Sequence, residues 1–163
     1  MISPDDFRDV LRHFAAGVTV VTAGTGDDVH GMTVSAFSSV SAEPPLIAVI
    51  LNQAQSIHRL LAEEAAPMAV SILGADQVET SNRFAFSKED RFSVGQWTTA
   101  ETGAPVLADA LAWLDCRVHE RHEAGSHVIY LAEVVASETV RPDESPLVYW
   151  NRDYRRLSSE GGA

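Results

Sequence analysis

The run Val18-Thr19-Val20-Val21-Thr22 is β-branched at every position. Such side chains lose rotamer freedom in a helix and pack well on a pleated surface. The run reads as a strand, and the chain keeps returning to the same chemistry. After the turn cluster Gly24-Thr25-Gly26-Asp27-Asp28, a second strand is expected from about His30 to Ser41. Pro44-Pro45 breaks it, and the apolar Leu46-Ile47-Ala48-Val49-Ile50-Leu51 reads as a strand buried on both faces. Met68 to Leu73 is another. Ala112, Leu114, Cys116 and Val118 alternate with Trp113, Asp115, Arg117 and His119, which predicts one apolar face. Glu123 to Ser126 is a turn, Val128 to Val140 a long β-rich run, and Leu147 to Trp150 a short last strand.

Helical periodicity is confined to short stretches. Ser3 suits an N-cap, Pro4 the first helical position, and Phe7, Val10, Leu11 and Phe14 form one stripe ended by Ala15-Ala16-Gly17. A short helix is expected over Ser56 to Glu64 with Ile57, Leu60 and Leu61 inward, and a weakly patterned one over Asp76 to Ala85. Six or seven strands with two or three interspersed helices predict a mainly β chain, a β-barrel with helical insertions. A doubly wound fold is disfavoured, because helices and strands do not alternate regularly and no Gly-x-Gly-x-x-Gly follows a strand.

A chain of 163 residues fits one domain. Its expected bounds are 1–157, with 158–163 a loose tail. Twelve Lys and Arg against 23 Asp and Glu leave a net charge of −11. Such a surface repels phosphate backbones and anionic lipid, so neither nucleic acid nor a membrane is an expected partner. No apolar run approaches the roughly 18 residues of a membrane helix, and no signal peptide is visible at the N-terminus. Cys116 is the single cysteine, which excludes an internal disulfide and a Cys-based zinc site. A cytoplasmic location is expected.

Several segments could carry chemistry. On the second strand Thr33, Ser35, Phe37, Ser39 and Ser41 share one parity, and Met32, Val34, Ala36, Ser38 and Val40 the other. The hydroxyl-rich face is either a solvated strand face or a surface that lets a ligand approach the backbone. Asn52-Gln53-Ala54-Gln55-Ser56 leads into the short helix, with His58 and Arg59 in its first turn. Ser56 there is either a simple cap or part of a phosphate site at a helix start. Arg91 either reaches a phosphate or pairs with Asp90. His119 and His122, three apart on a strand, fall on opposite faces and make no metal set with His127. His127 is either an ordinary turn residue or one at a pocket mouth on a barrel rim. No Gly-x-Ser-x-Gly elbow marks a hydrolase.

Taken together, these stretches resemble the flavin reductase-like family of FMN-binding split barrels. Its members include reductase components of two-component flavin monooxygenases. The resemblance runs from about Phe7 to Leu157. It rests on Phe14 to Thr22, Gly31 to Ser41, Pro44-Pro45-Leu46, Asp90-Arg91-Phe92, Gly103 to Leu107, Leu114 to Val118 and Pro146 to Tyr149.

The resemblance implies a six-stranded antiparallel Greek-key split barrel and a homodimer with flavin near the subunit interface. It implies hydride transfer from NADH or NADPH to FMN, with FAD possible, and delivery of reduced flavin by diffusion to a partner monooxygenase. It assigns Thr33, Val34, Ser35, Ser38 and Ser39 to the flavin ring and ribityl chain. Val49, Leu51 and Asn52 border the ring, Ser56 meets the phosphate, and Phe84 and Arg91 form a second flavin-contacting segment. His127 lies by the nicotinamide as the catalytic-site residue. Relatives typically carry Gly-Asp-His where Gly125-Ser126-His127 stands, so the carboxylate beside that histidine is absent here. Asp153 stands where relatives often have Gly, and Asn151 is expected to take the positive φ of that turn. A split-barrel flavoprotein that keeps its flavin is the alternative, and a ligand-free binding module a third reading. The apolar Leu46–Leu51 strand and Trp97, Trp113 and Trp150 offer surface for the dimer.

Overall fold

The computed structural model describes residues 1–157, so the tail expected at 158–163 lies outside the described residues. The order is α1 (Pro4–Leu11), β1 (Ala16–Gly17), β2 (Thr19–Thr25), β3 (Asp28–Val34), β4 (Phe37–Ala42), β5 (Pro45–Asn52), a 3-10 turn (Ser56–Leu60) and β6 (Pro67–Ile72). Then come α2 (Val78–Phe86), a 3-10 turn (Arg91–Ser93), β7 (Trp97–Thr99), β8 (Pro105–Leu107), β9 (Ala112–Ala124), β10 (His127–Thr139), β11 (Val148–Trp150) and β12 (Asp153–Arg155).

Seven antiparallel strands form the main sheet in the order β3-β2-β6-β9-β10-β5-β4. Its two outermost strands, β3 and β4, are consecutive in the chain and separated only by Ser35 and Ala36. The sheet therefore curls until one bent segment supplies both ends. Counted that way, the barrel has the expected six strands. The single strand expected over His30–Ser41 is broken at the bend, where Phe37 N donates to Ser35 O (3.1 Å) and Ile50 N to Ala36 O (3.0 Å). The two-face parity drawn across that stretch fails, because the bend turns the second half onto a different neighbour.

The interior is filled from alternating positions: Val21 and Ala23, Val34, Ile47, Val49 and Leu51, Met68 and Val70, Cys116 and Val118, with Tyr130 and Ala132. On β5 this alternation corrects the two-sided burial expected of Leu46–Leu51. Ile47, Val49 and Leu51 point inward, whereas Ile50 on the outer face is 38% exposed. A second core lies outside the barrel, where Val18, Val20, Leu73, Phe84, Leu107 and Leu147 meet Phe92 and Trp97. Gly31 makes this possible, since a Cβ there would sit 2.6 Å from Phe84 Cε1.

Other expectations are corrected locally. Ser3 does cap α1, accepting from Asp6 N at 3.1 Å, but the helix ends at Leu11 and buries none of its residues. Phe14 lies beyond it and is 78% exposed. Trp97 and Trp113 pack against inner clusters, so they are not spare surface for a dimer. Asn151 has the expected positive φ of 51°, and Arg152 joins it at 65°. A last strand, β12, follows where none was expected.

On β9 the outward position Asp115 is fully buried, because the β7–β8 hairpin, with Thr102 in its connecting loop, covers it. Its carboxylate accepts from Thr102 N (2.7 Å) and from the Thr102 hydroxyl. Asp115→Ala would leave both donors unpaired, and hydrogen bonds to a charged group contribute about 1.5–3 kcal/mol. Urea denaturation is expected to show a loss of about 2 kcal/mol, with the barrel retained by circular dichroism.

Candidate active site

Three clefts of about 150, 350 and 310 Å³ meet at Ser35. Thr33, Ser81 and Tyr154 line the first; Arg12, Tyr149 and Asn151 the second; Phe14, Thr19 and Phe37 the third. Thr33 Oγ1 donates to Ser81 O (2.6 Å) and so ties β3 to α2. Ser81 Oγ and Asn82 Oδ1 both bond the Tyr154 hydroxyl, at 2.8 and 3.0 Å. Tyr154 and Ser81 are absent from the sequence-derived site because their link to Thr33 spans three distant elements.

A second group forms where β3 faces the Ser56–Leu60 turn. Arg91 Nη1 donates to His30 Nε2 (2.8 Å) and to Gly31 O (2.9 Å), and Arg91 Nε donates to Ser87 O (2.6 Å). Arg91 therefore does not pair with Asp90. Ser56 Oγ lies 2.8 Å from the same His30 nitrogen. A guanidinium only donates, so His30 Nε2 accepts and the ring proton sits on Nδ1. That Nδ1 is buried and has no partner among the described residues. Nearby, Arg59 forms a two-bond ion pair with Asp28 (2.5 and 2.8 Å). The Ser56 segment is a five-residue 3-10 turn capped by Gln55, with no side-chain capping bond, so Ser56 is its first residue and no cap.

The third group sits where β5 meets β10. Asn52 and His127 are register partners, and Gln53 N donates to Ser126 O at 3.0 Å. Ser126 Oγ lies 2.9 Å from His127 Nδ1, so a neutral hydroxyl orients the ring. His58 joins the buried Tyr130 to the Asn52 carbonyl, at 2.7 and 2.8 Å. Burial pushes the Tyr130 phenol up, and Arg121 partly opposes this. Neither His30, His58 nor Tyr130 is marked by a motif. Only the fold brings them to Ser56, Arg91 and Asn52.

The sequence-derived residues thus separate into accessible and buried sets. Ser35, Ser38, Ser39 and Ser56 are exposed, and Thr33, Asn52, Arg91 and His127 half-buried. The side chains of Val34, Val49, Leu51 and Phe84 are core, with Phe84 stacked edge-on against Phe92 at 5.2 Å. At these four positions the side chain faces the interior and the backbone is what borders the surface. Ser38 and Ser39 lie on β4, at the opposite end of the sheet order from Thr33. His119 and His122 do not fall apart as expected. A bulge after Val118 turns both toward Glu120, at 3.7 and 2.9 Å. Among the described residues no group of three or more His, Cys, Asp or Glu has metal-binding geometry.

Residues 11–158 match the model of the flavin reductase like domain. The chain belongs to the flavin reductase-like family. Several relatives bear this out at the level of whole chains. The actinorhodin polyketide dimerase of Streptomyces coelicolor is 39% identical over 96% of this chain and 88% of its own. The FMN reductase (NADH) RutF of Agrobacterium fabrum is 36% identical over 93% and 87%. The reductase component of the FADH2-dependent resorcinol hydroxylase of a Rhizobium species is 39% identical over 96% and 88%. Among solved structures, the NADH:FAD oxidoreductase of Streptomyces globisporus, in complex with NAD and FAD fragments, superposes with a TM-score of 0.90 at 33% identity over 99% of both chains. No helix of the described residues is long and apolar enough to cross a membrane.

In this flavin reductase-like barrel, desolvation holds His30 below its ordinary value of 6.5, and the Arg91 and Arg59 charges add to the effect. The unfolded chain then binds a proton that the folded chain resists. His30 thus contributes stability above about pH 6.5 that is lost as the pH falls through its folded value. The urea midpoint is expected to drop between pH 7.5 and 5.5 in the wild type and to drop less in His30→Asn. Parallel pH curves for the two proteins would refute this role.

Proposed function

We propose that this protein is an NAD(P)H-dependent flavin reductase that passes reduced flavin to a separate monooxygenase. The Ser56–His30–Arg91 cluster carries the reading. A chain of net charge −11 holds here a partly desolvated guanidinium, a hydroxyl and a histidine with an unpartnered Nδ1. That donor set fits a phosphate. Arg91 keeps Nη2 free of the bonds that anchor its Nε and Nη1. FMN is the expected flavin; FAD shares the isoalloxazine, ribityl chain and first phosphate.

Bound flavin supplies the redox chemistry, accepting a hydride from the nicotinamide. The protein binds and orients. Arg91 and Ser56 hold the phosphate, with His30 between them. Thr33 and Ser35 flank the ribityl chain at the bend, and Ser38, Ser39 and Asn52 border the ring together with the backbone of Val34, Val49 and Leu51. His127 flanks the nicotinamide, its ring set by Ser126. Alignment of the two reacting rings is the main catalytic effect. The single cysteine, Cys116, is buried and its thiol is pushed up to about 12 by burial and Asp115, so it takes no part in this chemistry.

The test is direct. Purified protein with FMN or FAD and NADH or NADPH is expected to accelerate loss of nicotinamide absorbance. Failure in all four combinations would overturn the reading. A yellow preparation whose flavin survives dialysis and ignores NAD(P)H would favour a flavoprotein that keeps its cofactor. His127→Ala removes about one neutral hydrogen bond, about 0.5–1.5 kcal/mol, or roughly two- to thirteenfold in kcat/KM for the nicotinamide. Flavin affinity is expected to stay nearly constant.

A homodimer completes the site in this reading. Each cleft at Ser35 is at or below the small end of ordinary ligand pockets, roughly 300–1,000 Å³. Leu11 and Phe14, which line these clefts, are exposed, as are Phe7 and Val10 of α1, Val40 of β4 and Ile50 of β5. A second copy on this face would cover it and wall in the flavin, consistent with the prevalence of two-fold dimers. Sedimentation is expected to give twice 17.6 kDa at micromolar concentration, and a stable monomer would refute the dimer.

A further inference from the structure

We propose that His58 is a positioning residue, relaying the buried Tyr130 hydroxyl to the Asn52 carbonyl and thereby fixing the Asn52–His127 edge. The functional meaning of that edge rests on the reading above, in which it lies between flavin and nicotinamide.

The polarity of the relay follows from donor chemistry. A backbone carbonyl only accepts, so His58 Nε2 carries the proton and donates to Asn52 O at 2.8 Å. The imidazole then has Nδ1 free to accept from the Tyr130 hydroxyl at 2.7 Å. Both ring nitrogens are committed, and the ring stacks on Tyr130 with centroids 5.7 Å apart and planes 24° apart. Asn52 O also accepts from Gln55 N at 3.1 Å, and Asn52 Oδ1 from Ala54 N at 2.9 Å. The loop after β5 is thus wound around one carbonyl.

The relay closes on itself. Tyr130 belongs to β10, as does His127, and His127 pairs with Asn52 in register. Gln53 N donates to Ser126 O and adds a second tie. Tyr130 is fully buried and paired with Val49 on β5, so the end of the relay remote from the edge cannot shift. Without His58 the Asn52 carbonyl loses its link to the core, and the adjacent Gln53–Ser126 bond, held then by the register pair alone, opens more often. A misplacement of about 1 Å at a reacting edge can cost about a hundredfold in rate.

Three variants separate bonding from packing. His58→Gln keeps one donor and one acceptor. His58→Leu keeps volume and loses both. Tyr130→Phe removes only the hydroxyl. His58→Leu is expected to lower kcat/KM for the nicotinamide by about tenfold, while His58→Gln stays within about threefold of wild type. Independently of any flavin or activity, amide exchange at Gln53 is expected to speed by about tenfold in His58→Leu and in Tyr130→Phe, and to stay near wild type in His58→Gln. If the wild type reduces no flavin, the function fails while the exchange result still decides the relay. Equal exchange in the Leu and Gln variants would overturn the proposal. If His58→Leu does not fold, unchanged Gln53 exchange in Tyr130→Phe would overturn it instead.

Discussion

The bend at Ser35–Ala36 is the constraint on which the rest depends. A curled antiparallel sheet must deal with the unpaired groups on its two edges. Here one segment runs along both, as β3 beside β2 and as β4 beside β5. The bend must be short, and its residues must leave room for two strand ends to separate. Small side chains at Ser35 and Ala36 meet that need. The same opening collects the three clefts, so the closure of the barrel and the position of those clefts have one geometric cause.

Electrostatics then divides the surface. Net charge governs the long-range field, which favours neither nucleic acid nor anionic lipid. Binding of an anionic nucleotide is decided within a few ångströms, where desolvated donors outweigh distant screened carboxylates. Arg91 illustrates the difference. In sequence it sits among Lys88, Glu89, Asp90 and Phe92, as though part of a solvated charge run. In the fold its Nε and Nη1 bond Ser87 O, Gly31 O and His30, so the loop after α2 is pinned beside β3.

The two histidines that matter most in the framework are anchored in opposite ways. His30 is a desolvated acceptor beside an arginine. His58 is a donor to a carbonyl and an acceptor from a phenol. One is kept neutral by burial and by the neighbouring Arg91 and Arg59 charges, while the other bonds the core to an edge. His127, held by Ser126 in place of a carboxylate, is oriented without gaining an adjacent negative charge.

Much of this was legible one segment at a time. The β-branched run at 18–22, the alternation from Ala112 to Val118 and the Ser3-Pro4 helix start depend on local sterics and period, which neighbours in sequence decide. Arg91 was likewise marked by its place in a resembling stretch, Ser56 by the expected helix start and His127 by the turn at Gly125-Ser126. Position in sequence, however, does not reveal which face a second layer will cover. Asp115 reads as an outward polar residue and is buried by a hairpin whose Thr102 lies 13 residues upstream. Ile50 reads as core and faces solvent. Phe84 reads as a flavin contact and fills the space that Gly31 leaves. Pairing among β3, β5, β10 and the Ser56–Leu60 turn is non-local, so only the tertiary structure assembles His30 with Ser56 and Arg91, or Tyr130 with His58 and Asn52. The chain by itself determined most of the β-rich segments, the family and the kinds of side chain available. The folded sheet decided which of them meet, because a hydrogen bond depends on distance in space, and closure of the barrel sets those distances.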